Sequence, residues 1–137
     1  MKPFIIWFVF TLFVFGASSG AYHLYLEKSP RKILVAVDSS FSMKAVWNQV
    51  PQALKTISAD QRYVTFSLVT EKTRIHSWSP ELKLDSVIPY APRDFSKFLD
   101  SGKYPEIDEA QQKYLITDSD GAQSNNFKGW TVISLTP

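Results

Sequence analysis

Three oxygen-bearing side chains stand at alternate positions in Asp38-Ser39-Ser40-Phe41-Ser42, directly after the aliphatic run Ile33-Leu34-Val35-Ala36-Val37. One carboxylate and two hydroxyls at that spacing offer three oxygens to a small hard cation. Such a set suits Mg2+, Mn2+ or Ca2+ and holds nothing that selects zinc or copper. A second aliphatic run, Lys113-Tyr114-Leu115-Ile116-Thr117, also ends in an acid, Asp118. Two plainer readings fit the same residues. Ser40 and Ser42 suit the cap of a helix that begins near Met43, and Asp118 to Gly121 suits a turn.

The elements around these residues determine whether the acids can meet. A run of aliphatic residues without polar alternation predicts a strand buried on both faces, as in parallel sheets. A carboxylate at the carboxyl end of such a strand sits where open α/β sheets bind their ligands. Met43, Val46, Trp47, Val50, Leu54 and Ile57 recur at helical spacing, with Pro51 predicting a kink or a restart. Tyr63–Val69 predicts a strand, and Thr73–Trp78, beyond Glu71-Lys72, its hairpin partner at the sheet edge. Pro80–Pro92 reads as a loop, and Phe95, Phe98 and Leu99 as one or two helical turns closed by Gly102. Asn125–Gly129 reads as a turn before a last strand, Trp130–Leu135. Trp47 and Trp130 read as core, His76 as an edge-strand surface residue. The alternation predicts an α/β fold: a Rossmann-like, mainly parallel sheet flanked by helices. Asp38 and Asp118 would then emerge on one rim.

Composition narrows the function. The 137 residues are 45% hydrophobic and 15% aromatic, enough for one small domain with a real core. A net charge of +2 gives no electrostatic case for nucleic acid. The absence of cysteine excludes disulfides and thiolate sites, and two histidines argue against a histidine-built zinc centre. No G-x-S-x-G elbow, P-loop or dinucleotide turn is present.

Between Lys2 and Glu27 no side chain carries a formal charge. Phe4–Phe15 is almost wholly apolar and Gly16–Ala21 is small-residue rich, which fits a signal peptide. Apolar character resumes at Tyr22, Leu24, Tyr25 and Leu26, which favours an uncleaved anchor. The expected organisation is an N-terminal hydrophobic helix over 1–26, a tether over 27–31 and a domain over 32–137. The short leading tail favours a single-pass protein with an extracytoplasmic domain, secreted if the leader is cleaved. Lys28, Arg31 and Lys32 weigh the other way by the positive-inside rule.

Asp38-Ser39-Ser40-Phe41-Ser42 has the D-x-S-x-S form of the metal-ion-dependent adhesion site, and Leu115–Gly121 resembles the later Thr-Asp-Gly strand end, of von Willebrand factor type A domains. Here two residues are inserted before the glycine. The resemblance runs from Lys32 to the end of the sequence. It implies a Mg2+-type ion held by Asp38, Ser40 and Ser42, with Asp118, or Asp120 given the insertion, acting through water. It also implies a protein partner that offers an acidic group to the ion, and a non-enzymatic interaction role. The sequence departs from the family pattern in three ways, one being that it is shorter than most members. No threonine lies between Thr73 and Thr117, so Arg93 or Asp94 falls near the middle-loop ligand position. Asp94 would supply the missing oxygen, whereas a guanidinium would repel a divalent ion. Trp130–Leu135 is also followed by no further helix and strand of the kind the family adds. A metal-free scaffold subunit of an envelope assembly is the alternative. A phosphohydrolase using Asp38 as nucleophile is the enzymatic one, weakened by Ser40 standing where that chemistry wants a second aspartate.

Overall fold

The computed structural model describes residues 2–124 and 127–137 and divides into two units, 1–30 and 31–137. The first unit is a single helix, α1 (Lys2–Lys28), in which no residue is buried. It is apolar on every face and roughly 40 Å long at about 1.5 Å per residue, enough to cross a bilayer. A signal sequence has the same properties.

The second unit is α/β. Its elements are β1 (Arg31–Val37), 3-10 turns at Phe41–Ala45 and Trp47–Gln49, α2 (Val50–Ser58), β2 (Val64–Thr70) and β3 (Arg74–Ser79). A 3-10 turn at Phe95–Leu99, α3 (Glu106–Glu109), β4 (Gln112–Asp118), α4 (Ser119–Ser124) and β5 (Thr131–Leu135) follow. The five strands lie in the order β3-β2-β1-β4-β5. All neighbouring pairs are parallel except β2 with β3. The central strand is buried on both faces, as its unbroken aliphatic run requires. Ile33, Val35 and Val37 join α2 and Met43 in one core cluster, while Leu34 and Ala36 join Phe95, Phe98, Tyr104 and Phe127 in the other.

The helix expected from Met43 is broken into two 3-10 turns, and α-helix starts only at Val50. Pro51 stands at the start of α2, where its missing N–H costs nothing. It therefore opens a helix instead of kinking one. Ser40 occupies the cap position of the first 3-10 turn but makes no side-chain cap bond, which removes the capping reading. The turn expected at Asp118–Gly121 is the entry to α4. Of the expected Asn125–Gly129 turn, Asn125 and Asn126 lie outside the described residues, and Gly129 takes a left-handed φ of 83°. Trp47 packs half-buried on the first core and Trp130 on the second.

Candidate functional site

The strand register brings the rim together. Val37 is opposite Thr70 of β2 and Ile116 of β4, both parallel to β1. The next residues, Asp38, Glu71 and Thr117-Asp118, therefore leave the sheet at one carboxyl-terminal edge. Chain order reverses direction across the sheet between β1 and β4, the place where open α/β sheets form a crevice. Asp38 and Asp118 lie there together.

A guanidinium stands between them. Arg93 Nε donates to Asp38 Oδ2 at 2.8 Å, and its Nη2 donates to Asp118 Oδ1 at 2.5 Å and to Ser42 Oγ at 2.6 Å. Asp38 is fully buried, and each of its carboxylate oxygens accepts a further bond besides the one from Arg93. Ser40 N donates to Oδ1 at 2.9 Å, and the Thr117 hydroxyl donates to Oδ2 at 2.8 Å. Ser40 and Ser42 share a hydroxyl contact of 2.9 Å. Asp118 Oδ1 also accepts from Gly121 N at 2.7 Å, inside the first turn of α4.

The loop 80–92 carries the arginine in. Leu82 and Leu84 pin that loop to the first core cluster. Its end runs alongside the segment after β1, with Tyr90 N donating to Ser39 O at 2.8 Å and Phe41 N donating to Ala91 O at 3.0 Å. Ala91 holds a left-handed φ of 67°, a conformation costing about 1–3 kcal/mol in a residue with a Cβ, to make that pairing. Gly121 gives the guanidinium room. A Cβ there would overlap the Thr117 hydroxyl and lie 3.1 Å from Arg93 Cζ.

Partial burial works against the charge of Arg93, but Asp38 and then Asp118 more than offset it, leaving its pKa raised. Burial also pushes the Asp118 carboxyl up. The Gly121 N–H, the Ser42 hydroxyl and Arg93 together outweigh that and hold it below the usual carboxylate value.

As arranged, these oxygens do not fit a divalent ion, because the hydrogen bonds of both carboxylates already converge on a cation. The two other expected ligands, Asp94 and Asp120, lie outside the cluster around Arg93. Asp94 turns away, accepting from Ser96 N at 3.1 Å and from the Ser96 hydroxyl at 2.5 Å, so it caps the 3-10 turn at Phe95. Asp120 is exposed in α4 and joins none of the bonds around Arg93. Among the described residues no three histidine, aspartate or glutamate side chains gather to hold a metal.

A second buried carboxylate extends the rim. Glu71 accepts from Ser39 N at 2.9 Å and from the Ser39 hydroxyl at 3.2 Å. Lys72 Nζ reaches Glu71 at 2.5 Å and Ser39 O and Oγ at 2.8 Å each. Lys103 Nζ caps the carbonyls of both residues. In sequence Glu71-Lys72 reads only as the junction of a hairpin, and Thr117 and Gly121 only as parts of the Thr-Asp-Gly-like strand end. The signal for Glu71 was its position just past a strand that pairs in parallel with β1. No family model, curated protein or solved structure matches the chain.

Proposed function

We propose that the chain is a membrane-anchored, non-enzymatic interaction module. Its domain is a von Willebrand factor type A-like, Rossmann-like fold, and its rim is closed by Arg93 in place of a divalent ion. The observation that carries this reading is the one guanidinium bonded to Asp38, Ser42 and Asp118. Two carboxylates and one guanidinium leave the cluster with a net negative charge. It therefore has no pull on the acidic group with which a partner would complete a metal site.

Contact with a protein partner falls instead on apolar residues beside the rim. Phe41, Ile88 and Tyr90 are 54%, 68% and 51% exposed. The backbone pairing of 39–41 with 90–91 brings two of them side by side. Exposed large apolar residues grouped in this way favour a protein contact. The Asp38 nucleophile reading has no such support, since that carboxylate is buried and both its oxygens are engaged. Helix α1 supports a membrane anchor, or a signal sequence if it is removed.

The test is photo-crosslinking in cells expressing the full chain, with a photoreactive residue at Phe41 or at Tyr90 and a control at exposed Lys83. Discrete adducts at the two rim positions that survive EDTA support the reading. Labelling no stronger than at Lys83, or adducts that EDTA abolishes, overturns it.

A further inference from the structure

Charge is spread unevenly along the strands. β1, β2, β4 and β5 all begin at one end of the sheet, and the antiparallel β3 finishes there. This amino-terminal edge lies at the opposite ends of the strands from the rim. The strand starts, the last turn of α2 and the connections into β2 and β5 bring Arg31, Lys32, Lys55, Arg62, Lys113 and Lys128 to it. Only three acids accompany these six bases: Asp60, Asp108 and Glu109. The rest of residues 31–137 holds seven basic side chains against nine acidic ones. The domain therefore carries a net charge of +3 at its amino-terminal edge and −2 elsewhere.

Most of that positive charge is not neutralised inside the fold. Lys32 pairs with Glu109 at 2.6 Å. Arg31, by contrast, donates to the neutral Gln61 at 2.9 Å, and Lys113 lies over the Trp130 ring at 5.9 Å. Lys55, Arg62 and Lys128 are exposed, and among the described residues none of the three is ion-paired. The same edge holds Tyr63, Trp78 and Trp130, all half-buried. Tyrosine and tryptophan are the aromatic types that gather at bilayer interfaces.

We propose that the amino-terminal edge of the sheet binds anionic phospholipid headgroups. The proposal rests on the reading of α1 as a membrane anchor. That helix ends at Lys28, and only Ser29 and Pro30 come before Arg31 at the start of β1. Three residues of fully extended chain reach about 11 Å, roughly one Debye length, which is about 10 Å at 0.1 M salt. The start of β1 therefore cannot leave the electrostatic reach of the surface in which α1 ends. An anchored chain meets lipid phosphates at a permanently high local concentration, which selects them over a soluble acidic partner. Contact here leaves the rim, at the far ends of the same strands, open to a protein.

The natural absence of cysteine allows a single fluorophore to be placed by substitution. Full chain carrying Gln111→Cys, exposed at the amino-terminal edge, or Ala45→Cys, exposed at the rim, is labelled and reconstituted in nanodiscs. The discs are phosphatidylcholine alone or phosphatidylcholine with phosphatidylglycerol, each with a headgroup nitroxide lipid as quencher. The Gln111 probe should be quenched more on the anionic discs, and high salt should remove the difference, while the Ala45 probe should read the same on both. Arg62→Gln and Lys128→Gln change exposed residues outside both core clusters, and each should weaken the contact about fivefold. Equal quenching of the Gln111 probe on the two discs, a lipid-dependent signal at Ala45 instead, or indifference to both glutamine variants would overturn the proposal and leave the anchor reading standing. Release of the edge from anionic discs by a DNA duplex at equal phosphate concentration would overturn it in favour of nucleic acid. Failure of the chain to enter either disc would overturn the anchor reading and the proposal together.

Discussion

Two buried carboxylate clusters sit side by side on the same rim, and they are closed in different ways. Glu71 meets a cation from the next residue in the chain, Lys72, and the pair is neutral. Asp38 and Asp118 stand at the ends of strands distant along the chain, Thr117 beside Asp118 lying 79 residues from Asp38, and share one cation delivered by a loop. In the first cluster both charges come from the hairpin, with Ser39 and Lys103 bonding to it, whereas the charges of the second meet only when β1, β4 and loop 80–92 are all in place. One arginine therefore ties together three segments that the sheet alone would leave loosely related at their ends.

Removing each cation in turn should expose that difference most strongly. Arg93→Met strands two facing carboxylates, one of them fully buried. A loss of about 3–5 kcal/mol in denaturant melts is expected, as for breaking a buried ion pair. Adding Asp38→Asn to Arg93→Met should recover part of that loss. Lys72→Met leaves Glu71 with the Ser39 N–H and hydroxyl and no second carboxylate beside it. Its expected cost is smaller, about 1.5–3 kcal/mol. Equal losses would mean that the two clusters do not differ in the way described.

Gly121→Ala sharpens the same comparison, since it touches the Arg93 cluster without removing a charge. The added methyl meets the Thr117 hydroxyl and crowds Arg93. Overpacking of this kind costs about 1–3 kcal/mol, measurable by thermal melting, and it should leave the Glu71 cluster unaffected.

Acid separates parent from variant more gently. The folded pKa of Asp118 is depressed, so its stabilising share is fully present above the unfolded carboxyl value of about 3.9 and lost as pH falls through the lower folded value. Arg93 stays charged throughout that window. The parent should therefore lose stability on acidification below about pH 4, and Arg93→Met should show a shallower fall over the same range.

Much of this arrangement was legible in the residues. The unbroken aliphatic runs ending at Asp38 and Asp118 predicted parallel central strands, and parallel pairing is enough to put both acids on one edge. The hairpin, its place at the sheet edge and β5 followed from strand chemistry and turn residues. Two things were not legible. Short helices such as α3, held by tertiary packing, and α4, held also by the Asp118 carboxylate, are not announced by four to six residues of local propensity. The position of Arg93 in the sequence suggested either an absent oxygen or a repulsive charge. Only the fold of loop 80–92, set by Leu82, Leu84 and the strained Ala91, shows that its guanidinium occupies the space between the acids. Choosing between cation and ion requires knowing where a long side chain ends, and spacing along the chain does not encode that.

The most direct test is a thermal melt of the full chain in detergent, with millimolar Mg2+ or with EDTA, for the parent and for Asp38→Ala. A bound ion at about 100 times its dissociation constant would add about 2.7 kcal/mol of stability. With Arg93 as the rim's cation, the parent should melt at the same temperature in Mg2+ and in EDTA, and Asp38→Ala should melt lower in both. A Mg2+-dependent rise in the parent that Asp38→Ala abolishes would contradict the account.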